Sequence, residues 1–413
     1  MNYQETIEYL YNAAPTFQKV GAVGYKEGLD NTLTLDAHFN HPHRLFKTIH
    51  VAGTNGKGSC SHTLAAILQV TGLKVGLYTS PHLVDFRERI KINGKCIPEE
   101  YVIDFVEKER SFFEPLHPSF FELTTAMAFK FFAEEKVDVA VIEVGLGGRL
   151  DCTNIITPIL SIITNISKDH TQFLGNTLAA IADEKAGIIK KGVPVVIGET
   201  RPETKEVFLR KADAMQAPIR FAEHYDISGY DDCEFQLKGS YQEKNRRTIL
   251  CAADALHLSK AAIKEGMRKV CQMTGLWGRW HLLQLSPTVI CDTGHNVGGW
   301  EYLSEQIRKQ PCRRCRIVFG MVDDKEIEKV MEMLPEDAVY YWTQADTKRA
   351  VKVERVAAIG DRLSLNGSLY NKVMEAYRAA LQDAAPEDFI FVGGSSYVVA
   401  DLLVGLGLRV SGG

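Results

Sequence analysis

Residues 48–59 read Thr-Ile-His-Val-Ala-Gly-Thr-Asn-Gly-Lys-Gly-Ser. An apolar run enters a glycine-rich turn, a lysine follows, and a helical pattern begins directly after it. Strand, turn and helix in that order cradle phosphate groups. Gly53, Gly56 and Gly58 lack side chains, so the backbone can bend tightly and its N–H groups can approach phosphate oxygens. Lys57 adds a point charge, and the helix starting near Ser59 adds the positive end of its dipole. The loop departs from the common phosphate-loop pattern, which needs glycine at Val51 and Ser or Thr at Gly58. The hydroxyl that usually holds a magnesium ion is therefore missing beside the lysine, and Ser59 stands one residue late. The metal ligands have to be sought elsewhere in the chain. A glycine-rich turn without function is the bland alternative, and it leaves the order of the four features unexplained.

Short strand-like runs alternate with helical patterns along most of the sequence. Strands are expected at Lys47–Ala52, Lys74–Thr79, Val137–Glu143, Ile159–Thr164 and Val193–Gly198. Helical spacing of apolar residues appears in Phe120–Ala133 and around Leu64–Val70. Such alternation implies a largely parallel sheet with helices on both faces. A polar interval, Glu199 to Asn245, gives way to an alanine-rich helical stretch, Thr248–Leu258. Gly, Trp and Pro cluster in Gly275–Pro287, and then the alternation resumes at Thr288–Asp292, Arg316–Gly320, Ala338–Thr343 and Asp388–Gly393. A chain of 413 residues is long for one core. The expected fold class is α/β: an N-terminal phosphate-loop ATPase domain with a parallel sheet, residues 1–278, and a smaller Rossmann-like C-terminal α/β domain, residues 279–413. In two-domain enzymes of this kind the reactive site often lies between the domains.

Composition narrows the partners. A net charge of −4 argues against broad nucleic-acid binding, which positive charge drives. No apolar run reaches some 18 residues, so no membrane span is expected. Met1 to Gly28 lacks the basic-then-apolar order of a signal peptide, and nine scattered cysteines suit a reducing compartment; a cytoplasmic protein is expected. Cys312-Arg-Arg-Cys315 is a lone CxxC without a second pair or neighbouring histidines. It reads as an incidental pair on a loop rather than a zinc site.

Four residues stand where chemistry would need them. Ser80 follows the second strand in Tyr-Thr-Ser-Pro-His, and Pro81 favours an extended Ser80. Glu143 ends a buried strand and precedes Val-Gly-Leu-Gly-Gly-Arg-Leu-Asp, a position suited to holding Mg²⁺ beside a phosphate loop. His170 lies past the strand at Ile159–Thr164; imidazole is an unusual Mg²⁺ ligand, so the residues alone leave its role open. Lys185 sits near a helix end and can be either a solvated lysine or one aimed at the site. Asn245, Arg279 and Asp292 flank the expected boundary, and read locally they are ordinary polar residues.

Taken together, these segments resemble the folylpolyglutamate synthase and dihydrofolate synthase family, within the wider group of Mur-type peptide ligases. The resemblance spans nearly the whole length. It rests on His50-Val-Ala-Gly-Thr-Asn-Gly-Lys-Gly-Ser59, Ser80-Pro-His-Leu83, Phe121-Glu122, Glu143-Val-Gly-Leu-Gly-Gly-Arg-Leu-Asp151, Asp169-His170 and Glu184-Lys-Ala-Gly-Ile-Ile-Lys190. It implies that Gly53 through Ser59 bind the ATP phosphates and that Ser80, Glu143 and His170 are magnesium ligands. It implies that Lys185 carries a carbamate that helps hold a second Mg²⁺. Asn245 is similar to an adenine-reading residue, and Arg279 and Asp292 to second-domain contacts to ATP. Phe121, Glu122 and Asp151 resemble residues around the pterin end of dihydropteroate, and Arg89, His295 and Ser395 positions near the incoming glutamate. Catalysis is expected from Lys57, Glu143, His170 and Lys185.

The chain departs from that family at several points. Trp277-Gly-Arg-Trp280 lacks the proline of Trp-Pro-Gly-Arg, His281 replaces a glutamate, Asp292-Thr-Gly-His-Asn296 replaces Asp-Gly-Ala-His-Asn, and Tyr241 stands where histidine is frequent. The implied activity is ATP-dependent ligation of L-glutamate to dihydropteroate, to the glutamate tail of reduced folates, or to both, by a monomeric enzyme. A cell-wall amino-acid ligase would need a further domain, and only about 47 residues precede the phosphate-loop strand. A nucleotide-binding regulator or a phosphate-loop kinase has no use for the set Ser80, Glu143, His170 and Lys185.

Overall fold

The computed structural model describes residues 1–13, 28–322 and 327–408. Within it the chain forms two compact units, one of Met1–Gln236 with Lys244–Gly275, the other of Leu237–Glu243 with the described residues from Leu276 onward.

The first unit is built on an eight-stranded sheet. Its strands are β1 (Lys47–Ala52), β2 (Val75–Tyr78), β3 (Ile90–Ile92), β4 (Lys95–Cys96), β5 (Val139–Glu143), β6 (Leu160–Ile163), β7 (Val195–Ile197) and β8 (Ile219–Phe221). Their order is β4-β3-β2-β5-β1-β6-β7-β8. From β2 to β8 every pairing is parallel, while β3 and β4 add an antiparallel edge. The central strands are covered on both faces, which is why β1, β2, β5 and β6 read as continuous apolar runs rather than alternating ones. Register sets the strand ends in step: Val51 lies beside Glu143, Tyr78 beside Ile142 and Ala52 beside Ile163. The chain leaves β1 towards β2 on one side, and β6 continues to β7 on the other. The carboxyl ends of β5, β1 and β6 thus frame the place where such sheets take ligands.

The second unit has a six-stranded sheet of β9 (His281–Leu285), β10 (Thr288–Asp292), β11 (Cys315–Phe319), β12 (Val339–Trp342), β13 (Gly367–Leu369) and β14 (Phe389–Gly393), in the order β13-β12-β11-β14-β10-β9. Only β9 runs antiparallel. Trp300, Trp342, Phe319 and Phe391 form the heart of its core.

The segment expected to be a connecting boundary, Gly275–Pro287, contains β9, whose exposed Leu282 and Leu285 fit an edge strand. The polar interval after Glu199 holds a helix, Pro202–Ala214, and the short edge strand β8. Cys315 is the first residue of β11 rather than part of a loop, and burial pushes its thiol up to about 12. Both members of the CxxC are free thiols. Among the described residues no helix is long and apolar enough to cross a membrane.

Candidate active site

The glycine turn after β1 is held from the side by the segment that follows β6. Gly53 has φ +144°, and a Cβ there would lie 1.9 Å from Thr164 Oγ1. The Thr54 N–H donates to Asn165 O (2.9 Å) and the Asn55 N–H to Asn165 Oδ1 (2.8 Å), while Thr164 Oγ1 donates to Asn55 O (2.6 Å). The Ser167 N–H closes the set on Thr54 Oγ1 (3.1 Å). In this arrangement the N–H groups of Thr54 and Asn55 are both engaged by Asn165. The first intrahelical bond of the Lys57–Val70 helix is from Cys60 N–H to Gly56 O (2.9 Å). The N–H groups of Lys57, Gly58 and Ser59 lie ahead of it, at the positive end of the helix. Asn165, Thr164 and Ser167 carried no assigned role in the sequence reading. Their signal is a polar run directly after a buried strand, which is too common to single out.

Asn245 reaches the same turn from the Gln242–Ala255 helix. A Cβ on Gly56 (φ +85°) would lie 2.2 Å from Asn245 Oδ1, so glycine is required there by both backbone angle and space.

Two lysines meet on one carbonyl. Lys57 Nζ donates to Gly53 O and Thr54 O (3.1 Å each), and Lys185 Nζ donates to Gly53 O (2.9 Å). Lys185 occupies the last turn of the Leu178–Ala186 helix and is buried. Burial first, and the charge of Lys57 second, push its amine down to about 7, with Asp169 and Asp151 pulling the other way. A lysine in an unfolded chain titrates near 10.4. The lowered value means that folding is penalised fully below about pH 7, less as pH rises, and not at all above about pH 10.4. In bicarbonate-free buffer, Lys185→Met is therefore expected to stabilise the protein by on the order of a few kcal/mol near pH 6, with the gain shrinking towards pH 10. Urea unfolding at both pH values checks this, and an equal effect at the two would contradict a buried charge.

Glu143, buried at the end of β5, accepts the Ser80 N–H on Oε2 (3.0 Å). Its charge also raises the buried Cys60 thiol in the first turn of the Lys57–Val70 helix, after burial itself. β1 lies between β5 and β6, so Glu143 and the segment leading to His170 flank the turn. His170 stands at the cap of the short Thr171–Leu174 helix with φ +49°, and its Nε2 is 3.6 Å from Asp169 Oδ1. Asp169 is one of the charges acting on Lys185, alongside Lys57 and Asp151. Among the described residues no three His, Cys, Asp or Glu side chains gather as a metal-holding group. Mg²⁺ does not demand one, since it binds through one or two carboxylates and fills its shell with phosphate and water oxygens. The hard oxygen of Glu143 beside Ser80 fits that requirement.

Several acids expected at a substrate are engaged by the chain itself. Asp151 Oδ2 accepts the N–H groups of Gly145 (3.0 Å) and Leu146 (2.9 Å), and Oδ1 accepts the Thr153 N–H (3.0 Å) and hydroxyl. Glu122 accepts the Ser119 N–H while the Ser119 hydroxyl accepts the Glu122 N–H, a capping box that starts the Phe120–Glu134 helix. Phe121 lies against the Gly145 turn, where a Cβ would come within 2.5 Å of its ring. Arg89 is buried, donates from Nε to His82 Nδ1 (2.7 Å) and covers the Phe120 ring at 5.2 Å. His82, the histidine of the Ser-Pro-His segment, is thereby kept neutral, its pKa held well below the usual value by burial and by Arg89.

In the second unit, β10 and β14 end side by side, with Asp292 opposite Gly393. Asp292 accepts the Tyr241 hydroxyl and the Trp280 N–H (2.6 Å each) and the Gly294 N–H (2.8 Å). Arg279 donates to Gly278 O (3.2 Å) and opposes the upward shift that burial imposes on Asp292. His295 is exposed, and the buried Ser395 hydroxyl accepts the Val398 N–H (3.2 Å) as the cap of the Ser396–Gly405 helix.

Comparison with known proteins matches residues 51–224 to the Mur ligase middle domain and residues 278–396 to the Mur ligase glutamate ligase domain. The chain is similar to dihydrofolate synthase/folylpolyglutamate synthase of Bacillus subtilis, 36% identical over 75% of this chain and 79% of that one. Among solved structures it is similar to Escherichia coli FolC in complex with DHPP and ADP, with TM-score 0.86 and 30% identity over 100% of this chain and 99% of that one. It is also similar to the bifunctional folylpolyglutamate synthase/dihydrofolate synthase of Yersinia pestis complexed with AMPPNP and Mn ion, with TM-score 0.84 and 29% identity over 99% of this chain and 98% of that one.

Proposed function

The chain belongs to the dihydrofolate synthase/folylpolyglutamate synthase family of Mur ligases, and from that premise we propose that it joins L-glutamate to dihydropteroate, to reduced folates, or to both, at the expense of ATP. The observation that carries the reading is the meeting of Lys57 and the buried Lys185 on Gly53 O, one strand away from Glu143. A phosphate turn without its own metal-binding hydroxyl is here flanked by two lysines on helix ends, Lys57 and Lys185, and by the strand-end acid Glu143.

A carboxylate resists attack by an amine because its charge repels the nucleophile and oxide is a poor leaving group. Transfer of the terminal phosphoryl group of ATP to the acceptor carboxylate gives an acyl phosphate and ADP. The glutamate α-amine then attacks the acyl carbon, the C–O bond to phosphate breaks, and the amine loses its proton as the amide forms. Lys57 and the first-turn N–H groups of its helix hold and neutralise the phosphates. Glu143 and Ser80, with His170 as a further ligand, would hold Mg²⁺, which when bound would supply positive charge to the transferring group. Lys185, whose basicity burial lowers to about 7, has a neutral amine fraction that would add CO₂ and release a proton to become a carbamate, a carboxylate-like group that would help hold a second ion. Incubation with ¹³C-bicarbonate is expected to give one carbamate carbon resonance that Lys185→Met lacks.

Asn245, Arg279 and Asp292 are assigned to the nucleotide, Phe121 to the pterin, and Arg89, His295 and Ser395 to the glutamate, with residues 1–278 and 279–413 as the functional division. Asp151 and Glu122 are assigned to the shape of the pterin side, since their carboxylates are engaged within the chain. The test is to offer dihydropteroate or tetrahydrofolate in turn, with ATP, Mg²⁺ and L-glutamate, and to measure phosphate and product mass. Glutamate-dependent phosphate release with a product heavier by one glutamyl residue is expected. Nucleotide binding without such release on either substrate would overturn the proposal in favour of a regulator.

A further inference from the structure

His50 is a fully buried polar side chain in the middle of β1, beside Ile142 of β5 and Ser161 of β6. It lies three residues ahead of the phosphate turn and touches none of its atoms among the contacts described above. Its Nε2 is 2.8 Å from Thr153 Oγ1. Thr153 is fully buried and its hydroxyl donates to Asp151 Oδ1, so the same oxygen accepts from His50, and the imidazole is the neutral Nε2–H form. Its low basicity agrees, because burial and then the charge of Lys190 push it down to about 3. His50 Nδ1 has no hydrogen-bond partner among the described residues. A buried strand position with no task would be better filled by Val or Ile, which pack as well and leave no orphaned nitrogen.

The relay ends on a turn that touches three parts of the site. Asp151 Oδ2 gathers the N–H groups of Gly145 and Leu146, which follow Glu143 directly. Gly145 lies flush on the Phe121 ring, and Gly148 lies so close to the Glu184 and Lys185 carbonyls that a Cβ would meet them at 2.8 and 2.9 Å. Whatever fixes Asp151 therefore fixes the surface between the metal carboxylate and the ring assigned to the pterin.

We infer that His50 is a positioning residue: through Thr153 it orients Asp151 and so sets the Gly145–Leu146 turn for the pteridine-bearing substrate. It acts without touching that substrate and without setting the phosphate turn. The kinetic part of this inference rests on the proposed ligase activity, whereas the conformational part does not.

Amide hydrogen exchange separates the two. In His50→Leu the Gly145 and Leu146 amides are expected to exchange about tenfold faster or more, while peptides covering residues 53–60 keep their protection. His50→Gln, which can place an amide N–H where Nε2–H stood, restores protection. In turnover, His50→Leu is expected to raise KM for dihydropteroate or tetrahydrofolate about tenfold, the lower end for losing an outer-shell partner, and to leave KM for ATP within about twofold. Thr153→Val severs the relay from its centre and should match His50→Leu, which keeps the test open should the histidine variant fold poorly. Unchanged exchange at the turn in a folded His50→Leu or Thr153→Val protein overturns the inference whatever the enzyme turns over. So does faster exchange with unchanged KM, an equal rise in both KM values, or no rescue by His50→Gln. If the wild-type protein ligates glutamate to neither substrate, the functional proposal fails and the exchange result still decides the positioning.

Discussion

Lys57→Ala is expected to lose at least about two orders of magnitude in glutamate-dependent ADP release while the protein stays folded, as removal of one charge-stabilising contact at a transferring group does. The amine stands over the Gly53 and Thr54 carbonyls at the head of its helix, where the charge of a terminal phosphate would gather. The side chain is only half-buried, so its removal leaves no large cavity and no severe stability loss. A second signature follows from the neighbouring lysine. The charge of Lys57 is the second cause of the lowered Lys185 basicity, so its loss should raise the Lys185 pKa and move carbamate formation to higher pH. Turnover like that of the wild type in purified Lys57→Ala would remove this residue from the mechanism. Lost turnover with an unmoved Lys185 titration would place the two amines further apart than the shared carbonyl requires.

The parts legible in the sequence are those where local chemistry and global position agree. β1, β5 and β6 are covered on both faces, so their apolar runs announce them, and the glycines of the turn after β1 mark positions where a Cβ has no room. Glu143 stands out in the sequence as an acid that closes the buried apolar strand β5. The edge strands β4, β8 and β13 were not readable: they have two or three residues, and β13 is exposed throughout. Nor was the grouping of Leu237–Glu243 with the second unit, which depends on Tyr241 finding Asp292, a partner 51 residues away.

The harder lesson concerns acids. Asp151, Glu122 and Asp292 stand at motif positions that invite a ligand-contacting role, and each carboxylate also accepts backbone N–H groups: those of Gly145 and Leu146, of Ser119, and of Trp280 and Gly294 respectively. Sequence position cannot distinguish a carboxylate that faces a ligand from one that folds the loop facing it, because both need the same residue at the same place. The difference lies in partners such as Gly145, Leu146 and Trp280, whose N–H groups look like any others until the chain has folded. Asn165 illustrates the converse. It accepts the Thr54 and Asn55 N–H groups of the turn, a structural task that its place in a polar run does not announce.

Glu143 gives the largest separation between folding and chemistry. Its carboxylate has two tasks: accepting the Ser80 N–H and offering a negative oxygen at the carboxyl edge of β5. Glu143→Gln keeps the first, since the amide oxygen can accept the same N–H, and removes the second. If Glu143 serves as a metal ligand, Glu143→Gln and Glu143→Ala should both lose about a hundredfold or more in glutamate-dependent ADP release. The Gln variant should unfold at nearly the wild-type urea midpoint, whereas the Ala variant should be less stable by about 1 kcal/mol, because the part-buried Ser80 N–H loses its acceptor. Raising Mg²⁺ should recover part of the Gln activity and less of the Ala activity, since only Gln retains an oxygen donor. If Glu143→Gln turned over like the wild type, the carboxylate would be a structural acceptor for Ser80 alone, and the divalent ion would have to be held by other residues.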